Sequence, residues 1–270
     1  MNRKVPVLIS LVAVVVFTSG ASAAWSENFD SYGSQAAFLA AWPCWNTDNT
    51  SMALVQGFDH TTGTTNSVAG TGTNNTGKSV RNYQNLDSFT AYQGTDANPI
   101  KFEFYLYDMD ASINPGSPLY PGALRNFCEV RAYDGNGLIP GGGNGSLQGL
   151  IAMGLYSPTN AYNYVARVGF TWINTGIART SGWHKMTAIL KSTTADILVD
   201  DVPAPNATGV AWGGYALDGV ILGSGLTSWV SGNTNQAYDV AFDDFTVTPE
   251  PTTMLLLAAG GLLLRRRRAA

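Results

Sequence analysis

Lys101-Phe102-Glu103-Phe104-Tyr105-Leu106-Tyr107 alternates charged or hydroxylated side chains with large apolar ones at every second position. Successive side chains of a β-strand point to opposite faces, so this period sends Phe102, Phe104 and Leu106 inward and Lys101, Glu103, Tyr105 and Tyr107 outward. The same period returns from Phe127 to Tyr133, with Cys128, Val130 and Ala132 inward and Glu129, Arg131 and Tyr133 outward. Further strands are expected over Tyr164 to Trp172, Trp183 to Leu190, Asp196 to Asp200 and Tyr238 to Val247. On the first of these, alternation directs Ala166, Val168, Phe170 and Trp172 to the core and Arg167 and Thr171 to solvent. Residues 60 to 77 and 134 to 149 are rich in Gly, Asn and Thr and read as mobile loops without core strands. One helix is expected, capped by Ser34 and running from Gln35 to Trp42, with Phe38 and Trp42 stacked at i, i+4 and Pro43 ending it. The pattern is that of an all-β, two-sheet antiparallel sandwich with one short helix.

Both ends of the chain carry targeting patterns. Arg3 and Lys4 precede an apolar stretch from Val5 to Phe17 and the small residues Ala21-Ser22-Ala23, so residues 1 to 23 read as a signal peptide. At the other end stand Pro249-Glu250-Pro251, an apolar run from Met254 to Leu264, and Arg265, Arg266, Arg267 and Arg268. Eleven helical residues span about 17 Å at about 1.5 Å each, against a hydrocarbon core of about 30 Å. Such a helix is a poor permanent anchor, and the arginines hold its far end on the cytoplasmic side. A transient association with the inner membrane is expected, an uncleaved tail anchor being the alternative. One folded domain, residues 24 to 248, is left between the two signals.

In order, position and composition, residues 249 to 270 resemble a PEP-CTERM sorting signal, the tail that membrane exosortases of Gram-negative bacteria cut near the Pro-Glu-Pro. The resemblance implies an exported protein that reaches the cell surface or extracellular matrix after cleavage by an exosortase. A second resemblance lies within the domain. Gly182-Trp183-His184-Lys185, an apolar strand, a polar turn and Ile197-Leu198-Val199-Asp200 resemble the laminin-G-like and concanavalin A-like jelly rolls. Glu27-Asn28-Phe29-Asp30 and Phe242-Asp243-Asp244-Phe245-Thr246-Val247 strengthen it, because the first and last strands pair in that architecture. The same sandwich serves lectins, glycosidases, lyases and inert surface modules, so it implies the fold and not an activity.

Of the fifteen lysines and arginines, six lie in the terminal signals, and of the nineteen acids one, Glu250, does. Nine basic against eighteen acidic groups leave the folded part near −9, a balance that disfavours nucleic acid and anionic membranes and leaves cations and neutral polymers as partners. Cys44 and Cys128 are the two cysteines of an exported chain, and a disulfide is the expected reading, two buried thiols the other. Closing a loop of about 85 residues would contribute about 4 to 5 kcal/mol.

Catalytic signatures are missing. Gly72-Thr73-Asn74-Asn75-Thr76-Gly77-Lys78-Ser79 fits the phosphate-loop pattern by letter, yet lacks the strand before it and the apolar helix after it. No strand carries the alternating acids of the sandwich glycosidases, since Glu103 and Asp108 fall on opposite faces. His60 and His184 are the two histidines, the second at a strand start where a structural hydrogen bond is expected, and a zinc site lacks ligands. Carboxylates suit calcium better. In the related sandwich glucanases a structural Ca²⁺ lies where the first and last strands meet, and the resemblance carries that role to Glu27 and Asp243. The alternative is that Asp30, Asp243 and Asp244 only cap strand ends.

A carbohydrate-binding face is the remaining candidate. Glu103, Tyr105, Tyr107, Glu129, Arg131, Tyr133 and Arg167 would form it if their three strands adjoin, tyrosine offering a flat apolar surface and the charged groups hydrogen bonds. A merely solvated face is the plainer reading. The expected function is a non-catalytic surface or matrix protein that binds polysaccharide. A glycan hydrolase or lyase with an unrecognised site and a structural protein without a ligand are the alternatives.

Overall fold

The computed structural model describes residues 24–45, 51–60, 66–69, 80–86, 92–108, 125–135, 137–139, 142–224 and 240–249. In order these form β1 (Trp25–Glu27), α1 (Gln35–Ala41), β2 (Ala53–Gln56), β3 (Asn66–Ala69), β4 (Val80–Asn85), β5 (Ile100–Asp108) and β6 (Arg125–Tyr133). Then come β7 (Leu138–Ile139), β8 (Gly142–Gly143), β9 (Leu147–Tyr156), β10 (Asn160–Val168), β11 (Thr171–Ala178) and β12 (Gly182–Leu190). The chain continues with β13 (Thr194–Val199), β14 (Val202–Pro203), β15 (Val210–Ala211), β16 (Gly219–Ser224) and β17 (Val240–Pro249).

Two antiparallel sheets make the sandwich. The first has the order β14-β13-β12-β5-β17-β3-β2, with β1 on β17 and β15 on β13; the second has the order β11-β10-β9-β6-β16-β4. The first and last strands pair as expected, Trp25 opposite Val247 and Glu27 opposite Phe245. The strongly alternating segments supply the centre of each sheet. Phe102, Phe104 and Leu106 of β5 are fully buried and face Cys128 and Val130 of β6 across one core. Each Phe or Leu so buried is worth about 1.5 to 3 kcal/mol relative to exposure.

Ser34 caps α1, its hydroxyl accepting from the Ala37 N–H at 3.2 Å. The expected Phe38–Trp42 stack is replaced by a wedge. Phe29, at φ 59° before the helix, lies 6.0 Å from Phe38 and 5.5 Å from Trp42, so both rings pack on it instead of on each other. That aromatic group closes one end of the core against Phe245.

Several expectations change. The segment Tyr164 to Trp172 is two strands, because Gly169, at φ 61°, and Phe170 turn the chain between β10 and β11. The reversal shifts the phase: Phe170 is exposed, and Trp172 pairs with Arg167 on the outer face. Strands also run through the expected loops, as β3 within 60 to 77 and β7, β8 and the start of β9 within 134 to 149.

Cys44 and Cys128 form no disulfide. Cys44 bridges Asn82, Asn82 pairs with Leu222, and Leu222 pairs with Cys128. Three strand spacings of about 4.8 Å separate the cysteines by about 14 Å, twice the Cα reach of a disulfide at about 7 Å. Burial pushes the Cys128 thiol well up, so it stays protonated and behaves as a core residue.

The expected signal peptide, the phosphate-loop match at Gly72 to Ser79 and the apolar run Met254 to Leu264 lie outside the described residues. Among the described residues no helix is long and apolar enough to cross a membrane.

Candidate carbohydrate-binding face

The registers of the six-stranded sheet align one outward row across all its strands: Tyr83, Ile221, Glu129, Ala152, Arg167 and Trp172 on β4, β16, β6, β9, β10 and β11. Five spacings of about 4.8 Å make the row about 24 Å long. Aromatic groups stand at both ends. Trp45 meets Tyr83 edge-on at 5.4 Å and packs with Tyr133, Leu138 and Ile221. At the opposite end Tyr156 stacks on Trp172 at 4.0 Å and 12°, with Phe127 edge-on to both. Between them Ile221, Glu129 and Ala152 are buried. Gly154, at φ 146°, cannot change, since a Cβ there would lie 2.3 Å from the Asn126 carbonyl oxygen.

The centre of the row is ionic. Glu129, whose side chain is 3 % exposed, accepts from Arg131 Nη2 at 2.6 Å. Arg131 also donates through Nη1 to the Tyr133 hydroxyl at 2.9 Å and lies over the Trp45 ring at 5.1 Å. Arg167 lies over Trp172 at 5.4 Å. Burial alone would raise the Glu129 carboxyl, but Arg131, Arg81 and Arg167 outweigh it and hold the group below the usual carboxylate range. Burial, with Arg131 adding to it, lowers Arg167.

Glu103, Tyr105 and Tyr107 stand elsewhere, on the outer face of the nine-stranded sheet. The single patch expected from the sequence is therefore two patches on opposite sides of the sandwich. β5 and β6 share the core and never adjoin, because β5 lies between β12 and β17 while β6 lies between β9 and β16. The Tyr105 side is covered by the chain itself. His60 stacks on Tyr105 at 3.3 Å, while Phe58 stacks on Trp183 at 5.3 Å and meets Tyr107 edge-on at 4.8 Å. Its charges compensate one another, Lys101 and Lys185 on Glu103 at 3.3 and 3.6 Å, and Lys185 on Asp201 at 2.5 Å.

Glu27 is not a member of the carboxylate group that Asp243 joins. Part-buried, it accepts from the Phe29 N–H, the Tyr32 hydroxyl and Trp42 Nε1 at 2.7, 2.6 and 3.2 Å. A bulge between Asp243 and Thr246, with Asp244 at φ 48°, leaves Phe245 inward and Asp243 opposite Tyr105 on the outer face. There Asp59, Asp243 and Asp244 bring one ligand oxygen each within 4.8 Å of one another. Three such oxygens are about half of a calcium shell, the rest falling to backbone carbonyls and water. Burial first, then Asp244 and Asp59, raises the Asp243 carboxyl to about 7 despite hydrogen bonds from the His60 and Asp244 N–H groups. His184 has the structural role expected of it, between Asp200 and the Thr180 carbonyl at 2.7 Å each.

Sequence reasoning missed Trp172, Tyr156, Trp45, Tyr83 and Arg81 as members of the face. Gly169 was the available signal for Trp172, since a glycine there allows the hairpin that reverses its direction.

Residues 247–268 match the family described as the PEP-CTERM protein-sorting motif. The chain is accordingly an exported protein, processed by an exosortase at the cell envelope. No curated protein matches it. Among solved structures it is similar to an endo-β-1,4-glucuronan lyase from the fungus Trichoderma reesei, with a TM-score of 0.50, 11 % identity, and 84 % of this chain and 95 % of that one covered. It is equally similar to a conserved carbohydrate esterase from the Shiga toxin-encoding bacteriophage phi24B, at 0.50 and 13 % identity over 86 % and 99 %. The globular domain of T. cruzi calreticulin stands at 0.50 and 8 % over 91 % and 95 %. At these identities the likeness is one of fold, and the fold is the jelly-roll sandwich.

Proposed function

We propose that the protein is a surface or matrix component whose six-stranded sheet binds polysaccharide along its outer face. One observation carries the reading: at the β10–β11 end of the row Arg167, Trp172 and Tyr156 are part-exposed side by side, next to the buried ionic centre at Glu129. An extended sugar chain offers apolar ring faces and hydroxyls, which aromatic rings and guanidinium or carboxylate groups match. That two proteins of similar fold are named for action on carbohydrate supports the reading. The domain is residues 24 to 248, behind a signal peptide of residues 1 to 23 and before a sorting tail of residues 249 to 270. β17 reaches Pro249, so a cut beyond Pro251 leaves every strand of the described residues in place. The role is binding and not catalysis.

Affinity electrophoresis of the purified chain in gels containing a panel of polysaccharides tests this. Retardation by at least one glycan is expected, and Trp172→Ala should weaken it by about 1 to 2 kcal/mol, the loss expected for one aromatic contact. Unretarded migration in every gel would refute the reading.

A further inference from the structure

We propose that the glycan taken by the six-stranded sheet is a polyanion bearing carboxylate groups, with Arg167 as the residue that meets the acid. This rests on the polysaccharide reading above and narrows it. The net charge of the domain points the other way, but it is an average. Three of the nine basic residues between positions 24 and 248, namely Arg81, Arg131 and Arg167, act on the carboxylate of Glu129. Positive groups thus cluster here on a domain that is otherwise strongly acidic.

The arginines are unequally used. Arg131 spends Nη2 on Glu129 and Nη1 on the Tyr133 hydroxyl, and its buried Nε has no hydrogen-bond partner. Among the described residues Arg167 makes neither a salt bridge nor a hydrogen bond, and its Nε too is buried without a partner. Trp172 covers one face of the Arg167 guanidinium and leaves the donor edges unspent. A part-buried guanidinium that is hydrogen-bonded to no carboxylate is stabilised by an arriving anion, and burial lowers its pKa although Glu129 opposes that shift. The planar fork of a guanidinium matches a carboxylate by two parallel hydrogen bonds. Glu129 shows the match within the protein, where it satisfies Arg131 and leaves Arg167 without a partner of its own. A uronic acid chain supplies such a carboxylate on each ring, while its ring faces suit Tyr156 and Trp172. The acidity of the whole domain works against nucleic acid, whose phosphates approach over a much larger surface.

Titrating the purified chain with alginate, polygalacturonate, dextran sulfate, dextran and a single-stranded DNA oligonucleotide separates the outcomes. The expected result is binding to alginate or polygalacturonate that weakens with added salt and exceeds binding to dextran and DNA. Arg167→Ala should lower that binding at least tenfold, Arg167→Lys should restore part of it, and Lys185→Ala, on the opposite side of the sandwich, should leave it unchanged. Melting curves of each variant separate loss of fold from loss of binding, and the salt dependence of the unaltered chain tests the charge without any substitution. Binding to dextran as tight as to the uronates, insensitive to salt, would overturn the acidic ligand and leave the polysaccharide reading standing. Preference for dextran sulfate over both uronates, or for DNA, would also overturn it. No binding to any glycan would remove both.

Discussion

The two outer faces of the sandwich begin from the same ingredients, tyrosine alternating with glutamate and a basic residue, and end in different states. On the nine-stranded sheet Glu103 stands between Lys101 and Lys185, His60 pairs with Asp244 at 2.9 Å, and Phe58 and His60 cover the tyrosines. On the six-stranded sheet Trp45 and Phe127 pack over the buried middle of the row, Glu129 is satisfied by Arg131, and Arg167 and Trp172 are left part-exposed at one end. Residue type along a strand is thus a weak guide to binding. What separates the faces is whether the chain has already used the groups it presents.

The largest effect that could break this contrast is expected at Glu129. Removing one partner of a buried ion pair leaves an uncompensated charge, so Glu129→Gln should destabilise the fold by about 3 kcal/mol, read from denaturant melts. Glu103→Gln on the other face, where the partners are partly solvated, should cost at most about 1 kcal/mol. Equal losses would mean that the two clusters are energetically alike.

A smaller effect sharpens the other side of the comparison. The Asp243 carboxyl is held up to about 7 in the folded protein, above its ordinary 3.8. A group whose folded pKa is raised contributes stability that is full below the unfolded pKa and is lost as pH rises through the folded one. The melting temperature should therefore decline between about pH 4 and 8 through this group, and Asp243→Asn should flatten that decline, melting higher than the unaltered protein at pH 8 and converging with it only below about pH 4. Parallel curves for the two proteins would show that Asp243 is ionised in the fold.

The centre of each sheet was legible in the sequence because β5 and β6 bury one side against a shared core and wet the other, which writes a period of two. β9 escaped for the opposite reason. Its outward residues Leu150 and Ala152 pack under Phe127, so both of its faces are apolar and Leu147–Tyr156 shows no alternation. Strand order was not legible, and it was strand order that divided Tyr105 from Tyr133 and Cys44 from Cys128. Nor could the carboxylate trio be read, since Asp59 and Asp243 are 184 positions apart and meet through a bulge that shifts the phase of β17. The sorting tail was the reverse case: a local, contiguous pattern that needs no fold to be recognised.

Hydroxyl-radical footprinting of the chain with and without saturating alginate tests most directly which face binds, because both faces carry oxidisable rings and each reports its own cover. Protection of Trp172 and Tyr156, with Trp183 and Tyr107 oxidised equally in both samples, is the expected result. Protection of Trp183 and Tyr107 with Trp172 unchanged would move the binding face to the nine-stranded sheet and contradict the assignment.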